Sequence, residues 1–179
     1  MLVGDVVKAK KIIDADEKLE QRKKERKARR EFSYETLCEQ LKSLTEDVPH
    51  KIANFANASA LLYDELFDIN WAGFYFYEEA SDKLVLGPFQ GKPACIEIPV
   101  GKGVCGTAFA AGETIVVPDV HQFPGHIACD SASASEIVVP LKKDGKVFGV
   151  LDIDSPIKKR FDDEDKAGLE KIAEIIEKF

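Results

Sequence analysis

The sequence has no apolar run long enough to span a bilayer; a typical long one, IVVPL at 137–141, covers five residues. Its first residues, MLVGDVVKAKK, lack an apolar signal core and a small-residue cleavage site, so the expectation is a protein that is not secreted and works in the cytoplasm. No CxxC pair occurs, which leaves a zinc ribbon or a thioredoxin-type motif without support. GxxxxGK[ST] and GxSxG are both missing, which removes the phosphate-binding loop and the serine-hydrolase elbow. The segment GKGVCG (101–106) puts glycines at the start of a predicted helix, an anion-friendly geometry, but has no Lys-Ser/Thr pair behind it. His50, His121 and His126 do not stand at metal-ligand spacing, and no metal site is expected.

What remains is a chain of 179 residues, 45% apolar and 32% charged, long enough for one domain plus an extension and able to bury a core without staples. Charge is unevenly placed. Residues 1–30 carry a net +5 while the whole chain carries −7, which leaves −12 on the remainder. So acidic a domain repels phosphates, which argues against nucleic acid as a partner. Residues 5–30 read as helix, yet from Glu17 to Arg30 only Leu19 and Ala28 are apolar. That stretch is therefore expected to be a solvated basic extension, and residues 31–179 the folded domain.

A helix is predicted from about Ser33 to Glu46, with Leu37, Leu41 and Leu44 at helical spacing. Pro49 opens another through about Leu66, with Ile52, Phe55, Ala56, Ser59, Leu62, Tyr63 and Leu66 as its apolar set. From Trp71 the pattern changes to strands at 71–77, at 83–89 (ended by Pro88), at 95–100 and within 113–120. A short helix over 104–111 with Gly112 as its C-cap interrupts them. Residues 121–135, without period and rich in small polar side chains, read as a functional loop. A hairpin over 136–154 turns at Lys143–Asp144–Gly145–Lys146, and Asp162 or Asp163 caps a last helix. The class is α+β, one antiparallel sheet with helices packed on one face.

Four cysteines without a signal peptide are expected to rest as thiols. Three of them, Cys95, Cys105 and Cys129, fall within 35 residues. Cys129 lies in the loop segment GHIACD (125–130), where His126 could lower its pKa; the alternative is a small buried hydrophobe. Glu136 begins one hairpin strand, and Asp152 and Asp154 end the other, on one face by period 2. If that face is solvent they are surface charges; if it lines a pocket, crowding raises a pKa and keeps one acid protonated. Trp71 and Tyr75 share a strand face, where core packing is the ordinary role and enclosure of a methyl or sulfonium-like centre the alternative.

Together the segments DINWAGFYFYE (68–78), LVLGPFQGKPACIEIPVGKGVCGTA (84–108), PDVHQFPGHIACDS (118–131), SEIVVPL (135–141) and GVLDIDS (149–155) resemble the free methionine-R-sulfoxide reductases, a catalytic branch of the GAF-domain fold. The resemblance spans about residues 33–179 and leaves out the basic segment and Cys38. It implies Cys129 as the attacking cysteine, Cys95 as the resolving one and Cys105 as a third family cysteine. It implies a substrate pocket of Trp71, Tyr75, Glu136, Asp152 and Asp154. It further implies reduction of free methionine-R-sulfoxide, recycling by thioredoxin, a homodimer and no cofactor. The other classes open to such a chain are a non-catalytic GAF ligand-binding module and a redox sensor that switches a partner by the same disulfide.

Overall fold

The structure is a computed structural model and describes residues 33–125 and 130–179. The predicted basic helix of residues 1–30 lies outside them, as do His126 and Cys129. Two helices, α1 (Tyr34–Thr45) and α2 (Lys51–Glu65), precede strands β1 (Trp71–Glu78), β2 (Lys83–Gly91) and β3 (Glu97–Pro99). Helix α3 (Gly103–Ala111), strand β4 (Ile115–Val117) and a 3-10 turn (Val120–Gln122) lead to the hairpin of β5 (Ser135–Lys143) and β6 (Lys146–Ser155), and α4 (Asp163–Ile176) follows. The six strands form one sheet in the order β3-β2-β1-β6-β5-β4, every neighbouring pair antiparallel. Among the described residues no helix is long and apolar enough to cross a membrane.

Alternation along the central strands divides the molecule. One face carries Phe74, Phe76, Ile137, Val139, Leu141, Leu151 and Ile153, packed under α2 and α4, with α1 laid against these two helices. Phe55 of α2 meets the rings of Phe74 and Phe76 edge-on at 4.9 and 4.7 Å. The fourth helix, α3, covers the opposite face, above Trp71, Tyr75, Val138 and Val150. Its C-cap is Gly112 in the left-handed conformation, as its sequence indicated.

The ends of α4 and α1 are joined by one buried group. Asp162 caps α4 in a capping box with Asp165. The Asp165 carboxylate also accepts from Tyr34 Oη at 2.7 Å and from Arg160 Nη1 at 2.8 Å, with both Arg160 and Asp165 almost fully buried.

Several expectations shift. Pro88 does not end β2: Gly87 and Pro88 stand together opposite Phe74 at a bulge, where proline's missing N–H is tolerated, and the strand continues to Gly91. The strand expected over 95–100 shrinks to three residues, so Cys95 sits on a loop. The strand within 113–120 is likewise short, and the loop after it opens with the 3-10 turn, where the Asp119 side chain accepts from His121 N. On α2 the buried side is Asn54, Phe55, Ala58, Ser59 and Leu62, which leaves Ile52, Ala56 and Tyr63 exposed. In the hairpin turn Asp144 and Gly145 both take positive φ, as a two-residue connection of right-twisted strands requires.

Candidate active site

The pocket lies between the sheet and α3. Register brings Trp71 beside Asp154 and Asp154 beside Glu136, while Asp152 is paired with Gly73 and Val138. Period 2 then turns all three acids and both aromatics, Trp71 and Tyr75, to the α3 side, where Cys105 descends from the helix. The acids therefore line a pocket and are not surface charges. Glu136 and Asp152 are each 6% exposed and Asp154 is partly exposed. Gly73 leaves space for this packing, because a Cβ there would stand 2.3 Å from Phe89 Cβ and 2.7 Å from the Trp71 ring. Trp71 stacks between Phe89 at 5.2 Å and Tyr75 at 5.9 Å.

Burial dominates the electrostatics. It pushes the Glu136 carboxyl well above its ordinary range, and the charges of Asp152 and Asp154 push it further. Burial also raises Asp154, with Asp152 adding to the effect and a Ser133 hydrogen bond opposing it. Asp152 is raised by burial to about 7, against hydrogen bonds from Cys105 and Glu136. The Cys105 thiol, 3.9 Å from Glu136 Oε1, is raised well above its usual value by burial and then by the neighbouring acids. Such a cluster holds protons near neutral pH, and Asp152 Oδ1 is buried without a hydrogen-bond partner. Cys105, Glu136 and Asp152 present one ligand atom each within 4.8 Å of one another, the one such grouping among the described residues. A protonated acid of this set can donate to a neutral oxide, and an ionised one can bind an ammonium or another cation.

The cysteines separate by environment. Cys38 is a buried free thiol on α1, remote from the pocket, as expected of a helix residue outside the motif. Cys105 is also free. The expectation of four resting thiols fails at Cys95, which is half-buried and disulfide-bonded. Its loop is held by the two aromatics: Tyr75 Oη donates to the Cys95 carbonyl at 3.0 Å, and Trp71 Nε1 donates to the Lys92 carbonyl at 3.1 Å. Burial, then the nearby acids, raises the Tyr75 phenol and keeps it a donor.

A polar group beside the pocket escaped the sequence reading. Asn70 Nδ2 donates to Asp130 Oδ2 and to Ser133 Oγ, both at 3.1 Å, and its backbone N–H donates to the Asp154 carbonyl at 2.9 Å. Lys92 Nζ lies 3.4 Å from the Asp130 carboxylate. The Ala132 N–H, the Asn70 amide and Lys92 hold the Asp130 carboxyl below its ordinary range. Only the position of Asp130, directly after Cys129, hinted at this role.

Comparison with known proteins identifies the site's setting. The GAF domain model matches residues 39–178. The chain is 59% identical over 127 residues to the free methionine-R-sulfoxide reductase of Escherichia coli, covering 71% of this chain and 76% of that one. This chain belongs to the free methionine-R-sulfoxide reductase family of GAF-domain proteins. The fold agrees. The fRMsr of Staphylococcus aureus in complex with substrate superposes with a TM-score of 0.77 at 60% identity, over 82% of this chain and 94% of that one. The free methionine-R-sulfoxide reductase of Neisseria meningitidis, also in complex with its substrate, gives 0.79 at 49% identity, over 81% and 86%. Within this family setting, the structure brings together Trp71, Tyr75, Cys105, Glu136, Asp152 and Asp154 in one pocket, with the Cys95 loop at its side.

Proposed function

We propose that this chain reduces free methionine-R-sulfoxide to methionine, with Cys129 as the attacking thiol and Cys95 as its resolving partner. The observation that carries the reading is the set of three largely buried, proton-holding acids beside the Trp71 ring, in a chain of this family. A free amino acid brings an ammonium for an ionised carboxylate. Its sulfoxide oxygen accepts a hydrogen bond from a protonated one, and its S-methyl packs on the indole.

Cys129 attacks the sulfoxide sulfur, and Glu136, Asp152 or Asp154 protonates the departing oxygen. The oxygen passes to Cys129 as a sulfenic acid while methionine leaves; the substrate gains two electrons and Cys129 loses two. Cys95 condenses with the sulfenic acid, forming a disulfide and releasing water. A thioredoxin-type dithiol returns both cysteines to thiols by exchange. The disulfide at Cys95, half-exposed on its loop, favours it as resolver over Cys105, a free thiol sealed among acids that suppress its thiolate. Cys105 instead donates to Glu136 and shapes the floor. No cofactor enters these steps. We place the activity in residues 31–179, in a cytoplasmic homodimer, with residues 1–30 as a basic extension.

Turnover of the separated diastereomers of free methionine sulfoxide, with thioredoxin or dithiothreitol as reductant, tests the reading. The R form is reduced, the S form and peptide-bound sulfoxide are not, and Cys129→Ser abolishes methionine release. Inactivity on the R form, or equal rates on peptide-bound substrate, overturns it.

A further inference from the structure

The pocket is unbalanced in its acidic and basic side chains. Among the described residues, its lining holds four carboxylic acids, Asp130, Glu136, Asp152 and Asp154, and one basic side chain, Lys92. A free amino acid brings a carboxylate into this surrounding as well as an ammonium. An ionised acid here can meet the ammonium, but an acid offers a carboxylate no opposite charge whether it is ionised or protonated, so the zwitterion's carboxylate is best met by a cation on the same wall.

We propose that Lys92 is a specificity-determining residue that binds the α-carboxylate of the substrate, so that the enzyme selects the free amino acid by both ends of its zwitterion. The inference rests on the reductase reading above and names the group that completes it.

The geometry supports this role. The Lys92 backbone is fixed, because its carbonyl accepts from Trp71 Nε1 at 3.1 Å. Trp71 pairs with Asp154 across the sheet, so Lys92 is tied to the Asp154 end of the pocket. Asn70 reinforces the link, with its N–H on the Asp154 carbonyl and its amide on Asp130. The Lys92 side chain is 69% exposed and only loosely paired, 3.4 Å from Asp130. Asp130 is meanwhile occupied by Asn70 and by the Ala132 N–H, at 3.1 and 2.9 Å. An ammonium has three protons; Asp130 takes one and orients the group, and the others remain for a substrate carboxylate. A peptide-bound residue offers no such carboxylate and leaves Lys92 unused.

The test compares free methionine-R-sulfoxide with its α-carboxamide, which keeps the ammonium and sulfoxide but carries no negative charge. The wild-type enzyme favours the free acid by at least about tenfold in kcat/KM. Lys92→Met raises KM for the free acid about tenfold or more with kcat nearly unchanged, and brings the two substrates to within about twofold of each other. Lys92→Arg restores most of the preference. The carboxamide serves as the internal control for folding, since its kcat/KM stays near the wild-type value in Lys92→Met. An unchanged KM and an unchanged preference in Lys92→Met overturn the proposal and assign the carboxylate to the first-turn N–H groups of α3, which also border the pocket. A wild-type enzyme inactive on both substrates instead refutes the reductase reading itself.

Discussion

The two faces of the sheet are built from the same strands and could hardly differ more. On β6, Leu151 and Ile153 point to the face covered by α2 and α4 and are fully buried. Their neighbours Asp152 and Asp154 point to α3, into a pocket shared with Glu136 and Cys105. One face pairs its buried charges and gains a rigid platform; Arg160 and Asp165 meet there with Tyr34 closing the network. The other crowds acids together, and its Asp152 Oδ1 lacks a hydrogen-bond partner, as Arg160 Nη2 does on the helical face. The helical face thus holds its buried charges as an opposite pair, and the α3 face holds its acids as a crowded set that burial keeps protonated.

The largest expected effect that separates the faces comes from Asp165→Ala. It strands the buried Arg160 guanidinium, removes the acceptor of Tyr34 and breaks the capping box of α4. Loss of one partner of a buried pair costs about 3–5 kcal/mol. Denaturant unfolding reads this as a lower midpoint, while kcat per folded molecule stays close to wild type at low temperature. A variant as stable as the parent would mean that the platform is not held at this point.

Asp152→Asn acts in the opposite sense. The folded-state pKa of Asp152, about 7, lies above its unfolded value near 4, so the folded state binds more protons between those limits. Stability from this group is therefore complete below about pH 4 and is lost as pH rises to about 7. Asparagine cannot ionise. The variant should show a shallower fall of unfolding free energy across that window, with the remainder due to Glu136 and Asp154. Its kcat should drop at least about tenfold. An unchanged pH slope would show that Asp152 is not held protonated by the fold.

Much of this contrast was legible in the sequence. Period 2 put Asp152 and Asp154 on one side, the hairpin turn fixed their partners on β5, and the spacing of Trp71 and Tyr75 marked their shared face. Periodicity does not say which face is covered by what. The placement of α3 opposite the other helices depends on contacts far apart in the chain. Pro88 misled because its tolerance depends on a bulge that forms only in the paired sheet. The Asn70, Lys92 and Asp130 group was invisible for a similar reason, since its bonds join residues 60 and 38 positions apart. The disulfide at Cys95 was not legible, because a missing signal segment says nothing about which cysteines a fold brings together.

The finest distinction concerns Tyr75, which belongs to both the pocket wall and the loop of Cys95. Its ring fills space beside Trp71, and its hydroxyl reaches the Cys95 carbonyl at 3.0 Å. Tyr75→Phe keeps the ring and deletes one hydrogen bond, a loss of about 1 kcal/mol in stability. If the hydroxyl serves chiefly to hold the loop, methionine release in a single turnover should remain near wild type while closure of the disulfide slows several-fold. A sulfenic acid trapped by dimedone then accumulates in the variant and not in the parent. If both steps slow together, Tyr75 acts on the substrate through the pocket wall, and the loop of Cys95 owes its position to Trp71 and Lys92 instead.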